Sequence, residues 1–146
     1  MTSHARSALE RLKGRIVVSC QAYPGEPLRF PEAMAAMAAS AVIGGAGGVR
    51  AQGLEDLRLI RSTVDVPLIG LVKRGSEGVF ITPTVADTVE VARAGSDIVA
   101  IDATDWPRPD GSSLVDSVRA IHAEGRPRHG GLRVRCRCGC CRGGGG

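Results

Sequence analysis

Aromatic residues are scarce in this sequence, at 3% of 146 residues. No apolar run approaches the ~20 residues that a transmembrane helix needs, and the amino terminus lacks the apolar core and small-residue cleavage site of a secretory signal. These absences exclude a membrane partner and predict a cytoplasmic protein. Lysine is also rare, since only Lys13 and Lys73 stand among the 19 basic residues.

The net charge of +4 is unevenly distributed along the chain. Residues 128–146 contain five arginines, no acidic residue and four of the five cysteines, whereas residues 1–127 are close to neutral. We therefore predict a globular domain over residues 1–127 and a disordered Arg/Gly/Cys-rich tail over residues 128–146. The tail lacks the aromatic residues that stack on bases, so it does not favour a nucleic-acid partner. Its cysteines form one cluster instead of the two knuckles of a structural zinc site, so no metal is predicted.

Strand and helix signals alternate through residues 16–123. Strands are predicted near residues 16–20, 47–50, 67–72 and 97–101, and helices over residues 31–42, 54–63, 84–94 and 112–123. Four such βα units predict parallel strands and an α/β fold. A closed (β/α)₈ barrel needs roughly 250 residues, so the pattern fits either half a barrel or an open doubly wound sheet, and by itself it does not separate the two.

Polar residues follow the predicted strands at their carboxyl ends. In both of these folds, catalytic and ligand-binding residues lie at this end of the sheet. Cations near strand ends, namely Arg50, Lys73 and Arg74, indicate a cleft suited to an anionic substrate such as a sugar phosphate. Lys73 is the candidate general base, because neighbouring Arg74 and partial burial favour its neutral amine. Cys20 lies within an apolar strand and is interpreted as a packed core residue.

Several sequence blocks are distinctive in combination. They are IVVSCQAYPGEPL (16–28), GGVRAQGLEDLRLI (47–60), VPLIGLVKR (66–74), FITPT (80–84) and DIVAIDATDWPRPDG (97–111). Together they resemble the bacterial N-acetylmannosamine-6-phosphate 2-epimerase family, from about residue 12 to residue 126.

The resemblance implies a TIM barrel and an isomerase that interconverts N-acetylmannosamine 6-phosphate and N-acetylglucosamine 6-phosphate in N-acetylneuraminate degradation, without a cofactor. It implies that Lys73 is the catalytic lysine and that Gln21 and Arg50 hold the substrate, an amino-sugar phosphate. Epimerisation at C2 removes a proton beside the C1 carbonyl and returns one to the opposite face.

The chain departs from the family pattern after AIHAEGR (120–126). The family continues there into a fifth strand with an active-site aspartate and, later, a catalytic glutamate and phosphate-binding loops. The composition of residues 128–146 is instead typical of a shifted reading frame in GC-rich DNA. We therefore expect the first half of a barrel, inactive as given. The alternative is a non-catalytic half-barrel that binds an anionic sugar phosphate or a partner chain, and open strand edges with exposed apolar surface would favour a homodimer.

Overall fold

The structure is a computed structural model that describes residues 8–124 and the backbone of residues 132–136. The strands are β1 (Val17–Cys20), β2 (Gly48–Gln52), β3 (Leu68–Leu71), β4 (Ile98–Asp102) and β5 (Leu132–Cys136). The helices are α1 (Ala8–Leu12), α2 (Pro31–Ile43), α3 (Leu54–Thr63), α4 (Val85–Arg93) and α5 (Leu114–Ala123). Every helix in this part of the chain is too short or too polar to cross a lipid bilayer.

The four predicted βα units are confirmed, with bounds that differ from the prediction by no more than two residues. The strands form one parallel sheet in the order β1-β2-β3-β4-β5. A doubly wound sheet reverses its strand order at a switch point, whereas the strands of a TIM barrel follow one another in sequence. The order therefore identifies the first half of a barrel and removes the doubly wound alternative.

The two faces of the sheet carry different residues, because successive side chains of a strand alternate between faces. One face packs against the helices and contributes Cys20, Val49, Ala51, Leu68, Val72, Val99 and Ile101 to the main core. The opposite face, called the inner face below, holds a smaller cluster of Ile69, Leu71, Ile98 and Ala100. Ala8 and Leu12 of α1 pack on this second cluster.

The inner face exposes little apolar surface. Ile69 is 9% exposed and Leu71 and Ile98 are fully buried. The short helix α1 supplies part of the cover, since Ala8 is also fully buried.

Local signals explain where the helices begin. Pro31 opens α2, a position at which its missing N–H costs nothing. Thr84 caps α4 as predicted, by accepting a hydrogen bond from the Asp87 N–H. Ser113 and Asp116 form a reciprocal capping box at the start of α5. Hydrogen bonds from the Ser113 backbone and hydroxyl lower the pKa of the Asp116 carboxyl.

Strand β5 lies within the range for which we expected disorder. It pairs in parallel with β4, with Ile98 opposite Leu132 and Asp102 opposite Cys136. The sequence Leu-Arg-Val-Arg-Cys alternates apolar and basic residues, which is the period of a strand. The backbone of residues 132–136 is thus a strand, within a tail for which we predicted disorder over residues 128–146. Residues 128–131 and 137–146 lie outside the described residues, as do the side chains of Cys138, Cys140 and Cys141.

Gly70 of β3 lies at the interface between the sheet and α3, where neighbouring side chains pack closely against its backbone. A Cβ at this position would lie 1.9 Å from the Ser96 hydroxyl oxygen and 3.0 Å from the Leu57 methyl groups. The Ser96 hydroxyl is buried and has no hydrogen-bond partner among the described residues. A glycine is therefore required here because its neighbours fill the space that a side chain would occupy.

We expect Gly70→Ala to lower the free energy of unfolding by about 1–3 kcal/mol, the usual cost of overpacking. Ser96→Ala should be nearly neutral, because it removes an unpartnered hydroxyl, and the double variant should recover most of the loss. Urea denaturation of the three variants measures this coupling. Equal losses in the single and double variants would show that the Ser96 hydroxyl does not limit the space at Gly70.

Candidate active site

The three residues singled out from the sequence all belong to the inner face. Arg50 lies between Val49 and Ala51, which pack in the helix-side core, so its side chain points the other way. By the same alternation, Gln21 follows Cys20 and Lys73 follows Val72, and both point inward. The Lys73 side chain therefore lies on the face opposite the helix layer.

These three residues lie at different heights along the sheet. Arg50 is in register with Ser19 of β1 and Ile69 of β3, in the middle of its strand. Gln21 follows the end of β1, and its amide nitrogen donates to the Ser19 hydroxyl over 2.6 Å. Lys73 lies two residues beyond Leu71, the last residue of β3. The site therefore has Arg50 at its floor and Lys73 at its rim.

Lys73 borders a cavity of about 350 Å³ at the carboxyl end of β2 and β3. Its lining consists of Pro24, Arg29, Gln52, Gly53, Leu54, Glu55, Val72, Lys73 and Arg74. Gln21 borders a second cavity of about 390 Å³, together with apolar residues of the β1–α2 loop and α2. Arg50 lines neither of these cavities. The structure thus places the three residues on one face without joining them in one cavity.

The loop after Lys73 folds back along its own strand. Lys73 forms an isolated antiparallel bridge with Ile81, and the Thr82 N–H donates to the Val72 carbonyl over 2.7 Å. Thr82 has a φ of 45°, which is uncommon for a threonine. Its hydroxyl donates to the Ala100 carbonyl over 2.7 Å and accepts from the Val72 N–H over 3.3 Å. These bonds fix the backbone that carries Lys73.

Arg108 holds the next loop against the same segment. Arg108 is 8% exposed, and its guanidinium donates to the carbonyl oxygens of Pro83, over 3.1 Å, and of Thr82 and Asp102. Arg108 was not among the residues predicted from the sequence, because an arginine in a proline-containing loop does not by itself indicate burial.

Arg74 also lines the cavity, but ion pairs offset its positive charge. Its guanidinium pairs with Asp87 over 2.9 Å and with Glu90 over 3.7 Å, and both carboxylates belong to α4. An ion pair of this kind offsets the charge of the arginine, so the cation beside the cavity is chiefly Lys73. Cys20, by contrast, is fully buried in the core as predicted, and burial raises the pKa of its thiol.

The β1–α2 loop is anchored to α3 by a pair that sequence reasoning missed. Arg29 donates to the Asp56 carboxylate over 2.8 Å. Asp56 is 1% exposed, and this burial raises its pKa while Arg29 acts in the opposite direction. The anchor holds the loop, and with it Tyr23, over the rim of the cavity.

No group of three histidine, cysteine or acidic side chains that could hold a metal ion is present in residues 8–124. An inward-pointing lysine above an arginine is suited to an anionic substrate that loses a proton beside a carbonyl.

The sequential parallel sheet, with its polar residues at the carboxyl end, defines a chain of the TIM-barrel class. A solved structure of the N-acetylmannosamine-6-phosphate 2-epimerase from Clostridium perfringens superposes with a TM-score of 0.80 at 36% identity, covering 91% of this chain and 58% of that one. The sequence model of the family described as "Putative N-acetylmannosamine-6-phosphate epimerase" matches residues 34–129.

Curated relatives carry the same description. A putative N-acetylmannosamine-6-phosphate 2-epimerase of Cutibacterium acnes is 47% identical over 124 residues, which is 85% of this chain and 54% of the relative. One from Listeria monocytogenes serotype 4b is 46% identical over 120 residues, covering 81% and 52%. The chain belongs to the N-acetylmannosamine-6-phosphate epimerase family, as its motifs predicted. It spans about half the length of the curated relatives that it matches.

Proposed function

We propose that residues 8–124 supply the first half of the barrel, and the catalytic base, of an epimerase acting on N-acetylmannosamine 6-phosphate. The observation that carries this proposal is the position of Lys73, which points inward at the carboxyl end of β3 beside a cavity of about 350 Å³. Family membership supplies the substrate class, since the curated relatives bear that name.

In the proposed step, the neutral amine of Lys73 takes the proton from C2 of the open-chain sugar. The electrons of the broken C–H bond move into the C1–C2 bond, and the C1 oxygen becomes an enolate. A proton returned to C2 from the opposite face gives the epimer and restores the carbonyl. We expect the group that returns this proton to belong to the second half of a complete barrel.

Arg50 and Gln21 are proposed to hold the substrate. The guanidinium of Arg50 lies on the inner face at the level of Ser19, where its fixed charge can stabilise a developing oxyanion. The Gln21 amide, at the end of β1, can exchange its bond to the Ser19 hydroxyl for bonds to the sugar. Both roles are compatible with an anionic amino-sugar phosphate.

The cellular location and the oligomeric state of the protein are also proposals. We place the protein in the cytoplasm, where a phosphorylated sugar is retained. We further propose a homodimer, because β1 pairs with β2 alone among the described strands and an unpaired parallel edge favours pairing with another chain.

A fusion protein tests the proposed function. Residues 1–124 are joined, at the end of α5, to the part of the Cutibacterium acnes relative that follows its matching segment. We expect the fusion to form N-acetylglucosamine 6-phosphate in a coupled assay. The 146-residue chain alone, tested beside it, should show no measurable turnover, because positioned proton transfer needs groups on both faces of the substrate.

The complete Cutibacterium acnes protein is the positive control, and its second half alone is the negative one. A folded but inactive fusion, beside an active control, would contradict the proposal. Family-like turnover by the 146-residue chain would show that it needs no second half, and would leave the non-catalytic alternative without support.

A further inference from the structure

Lys73 has a partner that the proposed reaction does not yet use. Its ammonium nitrogen donates to the Tyr23 hydroxyl over 3.0 Å and lies 4.7 Å from the centre of the Tyr23 ring. Tyr23 reaches it from the β1–α2 loop, 50 residues away in the chain. The one tyrosine of the sequence therefore makes two separate contacts with the amine at the rim of the cavity.

Tyr23 is held in place by its own loop. Its N–H donates to the Glu26 carboxylate over 2.7 Å, and the Glu26 N–H donates back to the Tyr23 carbonyl over 3.0 Å. Gly25, with a φ of 90°, makes this tight turn possible. The Arg29–Asp56 pair fixes the far end of the loop to α3. The ring is 56% exposed, so its position comes from the backbone of the loop and not from burial.

We propose that Tyr23 is a positioning residue for Lys73, and this inference rests on the proposed function. A phenol oxygen can accept a hydrogen bond from an ammonium and can donate one to a neutral amine. The Tyr23 hydroxyl can thus hold the Lys73 nitrogen at one place before and after the lysine takes its proton. A phenylalanine retains only the ring beside the Lys73 nitrogen.

Competitive labelling of the 146-residue chain tests this without any need for catalysis. Trace acetic anhydride acetylates Lys13 and Lys73, and mass spectrometry gives the ratio of their rates. Lys13 is exposed and serves as the internal standard. We expect Lys73 to react more slowly than Lys13, and Tyr23→Phe to raise the Lys73:Lys13 ratio about threefold at pH 7 and at pH 9, in line with the loss of one charged hydrogen bond at a partly exposed site.

Tyr23→Leu removes the ring as well as the hydroxyl, so its comparison with Tyr23→Phe separates the contributions of the two groups. It should raise the ratio about fivefold or more, since both contacts are lost. After reductive ¹³C-methylation, the Lys73 methyl signal should be displaced by the ring current in the native chain and in Tyr23→Phe, and should move toward the Lys13 signal in Tyr23→Leu. Phe30→Leu, in the same loop and seven residues from Tyr23, is the matched control and should leave both readouts unchanged.

An unchanged labelling ratio in Tyr23→Phe would overturn the proposal, and so would a Lys73 methyl signal that Tyr23→Leu does not move. A raised ratio in Phe30→Leu would also overturn it, because the effect would then belong to the loop as a whole. An inactive fusion protein with the expected labelling would count against the proposed function alone, which keeps the two failures distinguishable.

Discussion

Replacing Lys73 with alanine is expected to lower kcat of the fusion protein by about 10²–10⁴-fold, the usual contribution of a positioned general base. Lys73 points inward at the end of β3, and a methyl group cannot accept the C2 proton. KM should change much less, because Arg50 and Gln21 are proposed to carry the substrate. The coupled assay for N-acetylglucosamine 6-phosphate, run over a range of substrate concentrations, separates the two parameters.

Two further variants make this test specific. Lys73→Arg retains the positive charge, but a guanidinium does not give up its proton at working pH, so the variant should be as inactive as Lys73→Ala. Lys13→Ala removes the only other lysine, at an exposed position away from the cavity, and should retain full turnover. Substantial activity in Lys73→Arg would show that the residue acts through its charge and not as a base.

Leu57→Ala is expected to lower the free energy of unfolding of the 146-residue chain by about 2–5 kcal/mol, the range measured for removing a buried leucine side chain. Leu57 is fully buried in the core between α3 and the sheet. The glycine opposite it, Gly70, has no side chain that could move into the resulting cavity. Urea denaturation followed by circular dichroism measures the loss.

Leu9→Ala is the matched control, because the same atoms are removed from a side chain that is 39% exposed. It should cost less than ~1 kcal/mol, since little apolar surface returns to water. If both variants lost the same stability, the packing of α3 on β3 would not be the source of the core's stability.

The regular elements could be predicted because each has a local signal. The apolar run around Ile69 predicts a strand covered on both faces, and Thr84 predicts the start of α4. Strand β5 was missed for a physical reason. Glycine, arginine and cysteine dominate the composition of residues 128–146, and the five alternating residues from Leu132 are too short a signal to outweigh it.

The candidate site was less predictable than the fold. In the structure, alternation along the strands puts Gln21, Arg50 and Lys73 on one face. Their roles remain predictions. The partners of Lys73 and Arg74 depend on where a loop and a neighbouring helix lie in three dimensions. No spacing in the sequence relates Tyr23 to Lys73, or shows that the Arg74 guanidinium pairs with Asp87.

The sequential strand order has a consequence for how the chain folds. Each strand pairs with the next one along the chain, and the paired residues are 19 to 34 positions apart, from Val49 and Leu68 to Ile98 and Leu132. The entropy lost on closing such loops grows only slowly with their length. A polypeptide emerging from the ribosome can thus add one βα unit at a time onto a neighbour that has already been synthesised. The growing sheet then serves as a template, and each new unit is accommodated as it appears.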